Sequence, residues 1–425
     1  MASRTDRRMR RYRTRVYRRR RLFAIVAVLV LVVALATVAF AMTRGGGTGG
    51  GGDSSAPAGD KPDGTAAAAP SPSGSATPSP NASAAWTGPP SNKLRLDLRK
   101  VISSTDISPK SVASTGTGYV FAQNMMYRHT MTVYDSKTLK LVKTIDDSID
   151  AAAFGVRGHT GALQGAPVEA AVMPDGRFMY VSQYSMYGDG FYHEGTDACS
   201  PSSGIDKSYV YRVPLDSLKI DKAIKVGAVP KFLAVTPDQK YLLVSNWCSY
   251  TLSVVDAHTS KQIESIYLGP YPRGIAVDPE SRYAYVAVMG SYNIARVDLS
   301  AFKVSWISGV GSGPRHLCMA GNGKYLYATL NGEGNVAKID PETRNVVDKV
   351  YTGRQPRSMA IAPDGKSLYV VNYDSSTMTK VRTSDMKVIQ TVNTNALPIG
   401  ITYDAPTKAV WVCCYSGSIM VFDDR

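Results

Sequence analysis

Five prolines, Pro230, Pro272, Pro314, Pro356 and Pro398, follow one another at a spacing of 42 residues, without a slip. Each opens the same phrase: a short apolar strand, a Pro-Asp-type turn, a Tyr-rich alternating strand, then a strand ending in Val-x-Asp. Pro230 to Asn246 and Pro356 to Asn372 are nearly the same sentence. Pro109 and Pro167 open two earlier copies, with the interval lengthened by 16 residues before Pro167 and by 21 before Pro230. A fixed period of this length, with four short strands per unit, predicts propeller blades. A single blade cannot bury both of its faces, whereas a ring of stacked blades does. After Pro398 there is room for only three strands. The alternating stretch Leu94 to Ile102 precedes the first copy and is predicted to supply the fourth, leaving no open edge between the termini. The expected fold is therefore all-β: a seven-bladed β-propeller of four-stranded blades, with an N-terminal strand closing the last blade.

The phrases Tyr241-Leu-Leu-Val-Ser-Asn246, Ser367-Leu-Tyr-Val-Val-Asn372 and Arg177-Phe-Met-Tyr-Val-Ser-Gln183 each follow a Pro-Asp turn. In this they resemble the YVTN-repeat β-propellers, which include the YncE-like bacterial envelope proteins. The resemblance covers residues 93–425. It implies a cell-envelope location, and nucleic acid as one class of ligand, since single-stranded DNA binding is attributed to a YncE-like protein. The second strands Tyr327–Leu330 and Trp411–Cys414 depart from the family pattern.

The formal charge of +15 is unevenly spread. Residues 1–21 hold eleven Arg against one Asp, while residues 93–425 carry only +6. The basic balance alone therefore says nothing about the folded part. Leu22 to Met42 is uncharged, and as a helix would span about 31 Å, the depth of a bilayer core. With the arginines on its N-terminal side, this predicts a signal-anchor helix at 22–42, a basic cytoplasmic tail at 1–21 and an extracytoplasmic remainder. A cleaved signal peptide is the rival reading, with Ala39-Phe40-Ala41 as the cleavage site. Residues 43–92 hold eleven Gly and eight Pro, and read as a disordered tether. A monomeric head held at the cell membrane is the expected arrangement.

Propeller connectivity sorts the residues by face. Strand one of each copy starts at the top, beside the central channel. The residue after each opening Pro is Lys110, Val168, Lys231, Arg273, Arg315, Arg357 and Ile399, a cation in five of seven copies. Such a ring of like charge calls for an anion or for partner carboxylates. The acidic Val-x-Asp residues fall at the opposite face. Two insertions, at about 150–166 and 184–208, belong to top loops over blades 1 to 3, where long loops commonly carry function. Loops after strand two add Trp247, Tyr250, Tyr184, Tyr373 and Tyr415, with Arg128 among them, a mixture suited to stacking beside phosphate or carboxylate. Packing of the cation stems and of the tyrosines against neighbouring blades accounts for the same residues without a ligand.

The leading functional expectation is a non-catalytic binding protein whose top face holds an acidic glycan, a nucleic acid or a protein segment. Lys110, Lys231, Arg273, Arg315, Arg357, Arg128, Trp247, Tyr250, His159 and His193 are the candidate contacts. The alternative is a lyase- or lactonase-like propeller enzyme using His159, His193, Glu194 or Glu169; a scaffold without a small ligand is the third. No cofactor motif is present, and the histidines match no tight metal-ligand spacing. Cys199 in the second insertion and Cys248 in the equivalent loop of blade 3 are expected to form a disulfide.

Overall fold

The computed structural model describes Trp86 and residues 88–425. The expected tail, the anchor helix at 22–42 and most of the tether lie outside the described residues. Among the described residues, no helix is long and apolar enough to cross a membrane.

Seven four-stranded antiparallel sheets form the head, six of them with their strands in chain order from the inside out. The innermost strands are Ser111–Ser114, Pro167–Val172, Pro230–Val235, Pro272–Val277, Pro314–Met319, Pro356–Ile361 and Pro398–Asp404. Each packs against the next around a closed ring, the last against the first. Closure follows the expectation from the sequence: Leu96–Ser103 is the outer strand of blade 7, paired antiparallel with Ser418–Asp424. Blade 6 ties this strand down. Gln390 accepts from the Leu96 N–H at 2.7 Å and donates to the Leu96 carbonyl at 3.0 Å. Lys380, wholly buried, donates to Asp424 at 2.5 Å and to the Leu94 carbonyl at 2.9 Å.

The core lies between blades rather than at one centre. The third position of strand two is Phe121, Tyr180, Leu243, Tyr285, Tyr327, Tyr369 and Trp411, and all are at most 2% exposed. Alternation turns this side chain into the neighbouring blade, and its aromatic bulk fills the gap between the splayed sheets. The departures from the family phrase at Tyr327 and Trp411 therefore keep the packing role. Inner strands approach closely where side chains are small: a Cβ on Gly274 would sit 2.7 Å from the Arg315 carbonyl oxygen.

The described chain enters at the bottom. Ser91, within the stretch expected as tether, is buried; its N–H and hydroxyl donate to Asp364 at 2.8 and 2.6 Å. Asp364 belongs to the Pro-Asp-Gly turn of blade 6, on the face opposite the opening prolines.

Candidate anion-binding site

Four of the five cations, Lys231, Arg273, Arg315 and Arg357, are presented by a repeated backbone device. In blades 2 to 7 the ladder between strands one and two slips immediately after the opening Pro, a bulge that re-aims the residues beside it. In blades 3, 4, 6 and 7 the residue before that Pro is left-handed although it is not glycine: Val229, Tyr271, Gln355 and Leu397 have φ of 54, 62, 52 and 59°. Such backbone strain persists only where its surroundings over-determine it. Here the strained carbonyl accepts a hydrogen bond from the loop after strand two. Trp247 donates to Val229 at 2.9 Å, and Met289, Tyr373 and Tyr415 donate to Tyr271, Gln355 and Leu397, each at 3.0 Å. Cation and loop residue are thereby fixed side by side on one face.

Lys110, Lys231, Arg273 and Arg315 are buried, and Arg357 is half-buried. They converge across the channel. Glu169 of blade 2 accepts from Lys110 of blade 1 at 3.2 Å and from Arg273 of blade 4 at 3.1 Å. Phe232 of blade 3 meets His316 of blade 5 edge-on at 5.0 Å. Side chains of blades 1 to 5 thus meet across the channel at this level. Burial raises the Glu169 carboxyl, but Lys110 and Arg273 outweigh it and hold the group below its usual range, so it stays ionised. Burial brings Lys110 down to about 7 despite Glu169. The same cause brings Lys231 to about 8 and His316 to about 3, leaving the imidazole neutral. Arg315 is lowered well below its ordinary value by burial and by the nearby Arg273 and Arg357.

The second insertion reaches into this cluster. Its Asp197 accepts from Lys231 at 2.8 Å, and Lys231 draws that carboxyl down to about 2. The Lys231 ammonium also lies 4.4 Å from the Tyr184 ring centre and 5.0 Å from that of Trp247. Trp247 stacks on Tyr271 at 4.5 Å and donates its indole N–H to the Asp197 carbonyl at 3.0 Å. Tyr250 donates to the Cys199 carbonyl at 2.9 Å. Cys199 and Cys248 are joined in a disulfide. Trp247 and Tyr250, the residues expected to stack on a ligand, hold the insertion over blade 3 through these contacts.

The other expected contacts lie apart from the cluster. Arg128 is exposed in a loop of blade 1. His159 stacks on Phe191 at 4.0 Å and contacts the Asp189 carbonyl at 2.9 Å. His193 is exposed, its backbone N–H donating to Asp206 at 2.7 Å. Glu194 accepts from the Tyr187 hydroxyl at 2.7 Å. Of the alternative acid–base set only Glu169 is in the channel, where it serves as the counter-ion of two cations. No group of three His, Cys, Asp or Glu suited to a metal occurs among the described residues. Two central residues were underrated by sequence reasoning, Glu169 and Asp197. The signal for Glu169 was present: blade 2 has Val168 in place of the cation, followed at once by a carboxylate.

Cations from blades 1, 3, 4, 5 and 6 can meet on one axis only if the blades close into a ring. The chain is a seven-bladed β-propeller. A solved structure, Hydrazine Synthase of Kuenenia stuttgartiensis, matches with a TM-score of 0.59 at 20% identity, over 75% of this chain and 96% of that chain. The likeness is one of fold. No protein-family model matches the chain. No curated protein matches it either.

Proposed function

We propose that this is a membrane-tethered, extracytoplasmic YVTN-type propeller that binds an anionic ligand at the top of its channel and performs no chemistry on it. One observation carries the reading: five cations gather at one repeat position, with only Glu169 and Asp197 of the described residues paired to them. Burying like charges is costly unless counter-charge is present, so such a cluster favours an incoming anion. The uncharged run at 22–42 and the Gly/Pro-rich tether support the membrane attachment. The described chain enters the head at the bottom, beside Asp364.

The test is calorimetry of the purified full chain, in low salt, with a carboxylate, an acidic oligosaccharide and a 12-mer oligodeoxynucleotide. At least one should bind, with affinity falling as salt rises. A variant with Lys231, Arg273, Arg315 and Arg357 all changed to Ala should lose that binding. If it proves unfolded by circular dichroism, the variant Arg315→Gln, Arg357→Gln, which breaks no ion pair, takes its place. Failure of every probe to bind the unmodified chain overturns the proposal, as does undiminished binding by a folded quadruple variant.

A further inference from the structure

The charges of the cluster are not evenly compensated. On blades 1, 3 and 4, Lys110 and Arg273 share Glu169, and Lys231 holds Asp197. On blades 5 and 6, Arg315 and Arg357 have no carboxylate partner among the described residues. Arg315 donates to the Arg357 carbonyl, and Arg357 to the Gln355 side chain at 2.6 Å. Two guanidinium nitrogens, Arg273 Nη1 and Arg357 Nε, are buried without a hydrogen-bond partner, and Arg273 is only 4% exposed. Leaving such donors unmet is unfavourable, which makes them a lasting attraction for an oxyanion.

Aromatic rings wall this side. The Arg357 guanidinium lies 4.3 Å from the centre of the Tyr373 ring, and Tyr373 meets Tyr415 edge-on at 6.1 Å. Burial raises the Tyr415 phenol while Arg315 and Arg273 pull it down, so all three groups share one neighbourhood. From this we infer that Arg315, Arg357 and Arg273 Nη1 form a subsite for a single terminal carboxylate, which enters end-on past Tyr373 and Tyr415. The inference rests on the anion-binding reading above and names the chemistry of the ligand.

Three features select a carboxylate. The uncompensated side is made of arginines alone, and the planar guanidinium fork matches a carboxylate in two parallel hydrogen bonds. The cluster already binds two carboxylates, that of Glu169 through Lys110 and Arg273 and that of Asp197 through Lys231. Access is narrow, since Arg315 is 4% exposed. A compact head group at the end of a molecule reaches such a donor. A phosphodiester, flanked on both sides by its strand, would have to draw the whole strand into the ring.

The test uses the full chain and defined probes: glutarate as a free carboxylate, glutaramide as its uncharged isostere, a peptide with a free C-terminus, and a 12-mer oligodeoxynucleotide. Glutarate or the free C-terminus should bind and glutaramide should not; which of the two binds tells a small acid from a chain end. The variant Arg315→Gln, Arg357→Gln should weaken binding by about a hundredfold, as expected for loss of buried charged donors. Arg315→Lys should weaken it by about tenfold, because charge is kept and the fork is lost. Lys261→Gln, on the outer strand of blade 3, should change nothing. Equal binding of glutarate and glutaramide, or full affinity in the double Gln variant, overturns the inference. Oligonucleotide binding that is lost in the double variant also overturns it, in favour of nucleic acid, and leaves the anion-binding reading standing. If none of the probes binds, both fall.

Discussion

Glu169→Gln should do two opposite things: weaken the ring and tighten anion binding. The substitution keeps the shape and removes the charge that Lys110 and Arg273 share at 3.2 and 3.1 Å. Removing one partner of a buried ion pair costs about 3–5 kcal/mol. Lys110 escapes part of that cost, because burial already places its folded value at about 7 and the free amine is within reach. Arg273 has no such escape. At pH 9, where Lys110 is neutral in the folded state with or without Glu169, the loss should be about 3 kcal/mol, or roughly 6 °C in Tm at about 2 °C per kcal/mol. At pH 6 it should be larger. A lysine whose folded value lies below its unfolded one destabilises fully below the folded value, and the penalty fades as pH rises from about 7 toward 10.5. Without Glu169 the folded value drops further, so acid conditions add about 1 kcal/mol per unit of that drop. Binding moves the other way. Glu169 and the subsite share the Arg273 guanidinium, so removing its unit negative charge at an effective dielectric of 20 favours an anion by on the order of 2 kcal/mol, or about thirtyfold in Kd. Urea unfolding at pH 6 and 9, with calorimetry of the bound anion, tests both. Equal destabilisation at the two pH values, or weaker binding in the variant, would refute the reasoning.

Two further outcomes test the supports of the site. Replacing Cys199 and Cys248 together by Ser opens a crosslink between positions 49 residues apart. Loop-closure entropy puts its contribution at about 4 kcal/mol, read as a lower urea midpoint that reductant no longer shifts. Asp147→Asn should stabilise the protein at pH 8 by on the order of 2 kcal/mol relative to its effect at pH 4. Burial, and then Asp146, hold the Asp147 carboxyl well above its usual range, so the wild-type protein loses stability as pH climbs from the unfolded value toward the folded one. Gln183 donates to Asp147 Oδ1 at 3.1 Å, while Asp147 Oδ2 and Gln183 Oε1 are buried without partners. An Asn amide would offer the missing donor without needing a proton. Differential scanning calorimetry across that range decides it; a constant difference between the two proteins would count against a protonated Asp147.

The ring was legible in the sequence because it repeats. A side chain that recurs every 42 residues must serve the same packing role each time, as Leu243, Tyr285, Tyr327, Tyr369 and Trp411 do. The closing strand was legible from a deficit, three strands where four are needed. The cation position was legible for the same reason as the core, since Lys110, Lys231, Arg273, Arg315 and Arg357 occupy one register. Trp247 and Tyr250 were placed on the correct face, yet their hydrogen bonds go to Asp197 and Cys199. Those partners lie in an insertion, which has no repeat to be read from.

The sequence by itself determined what local pattern and register can carry: blade number, strand order, closure and the alignment of five cations. Only the tertiary structure decided which of those cations are compensated. Glu169 serves Lys110 and Arg273 from across the channel, and Asp197 reaches Lys231 from a loop 34 residues away in sequence. Charge pairing depends on distance in space and on exclusion of water, and neither is written in spacing along the chain. The asymmetry that leaves Arg315 and Arg357 without a carboxylate partner among the described residues appears only when the ring is closed.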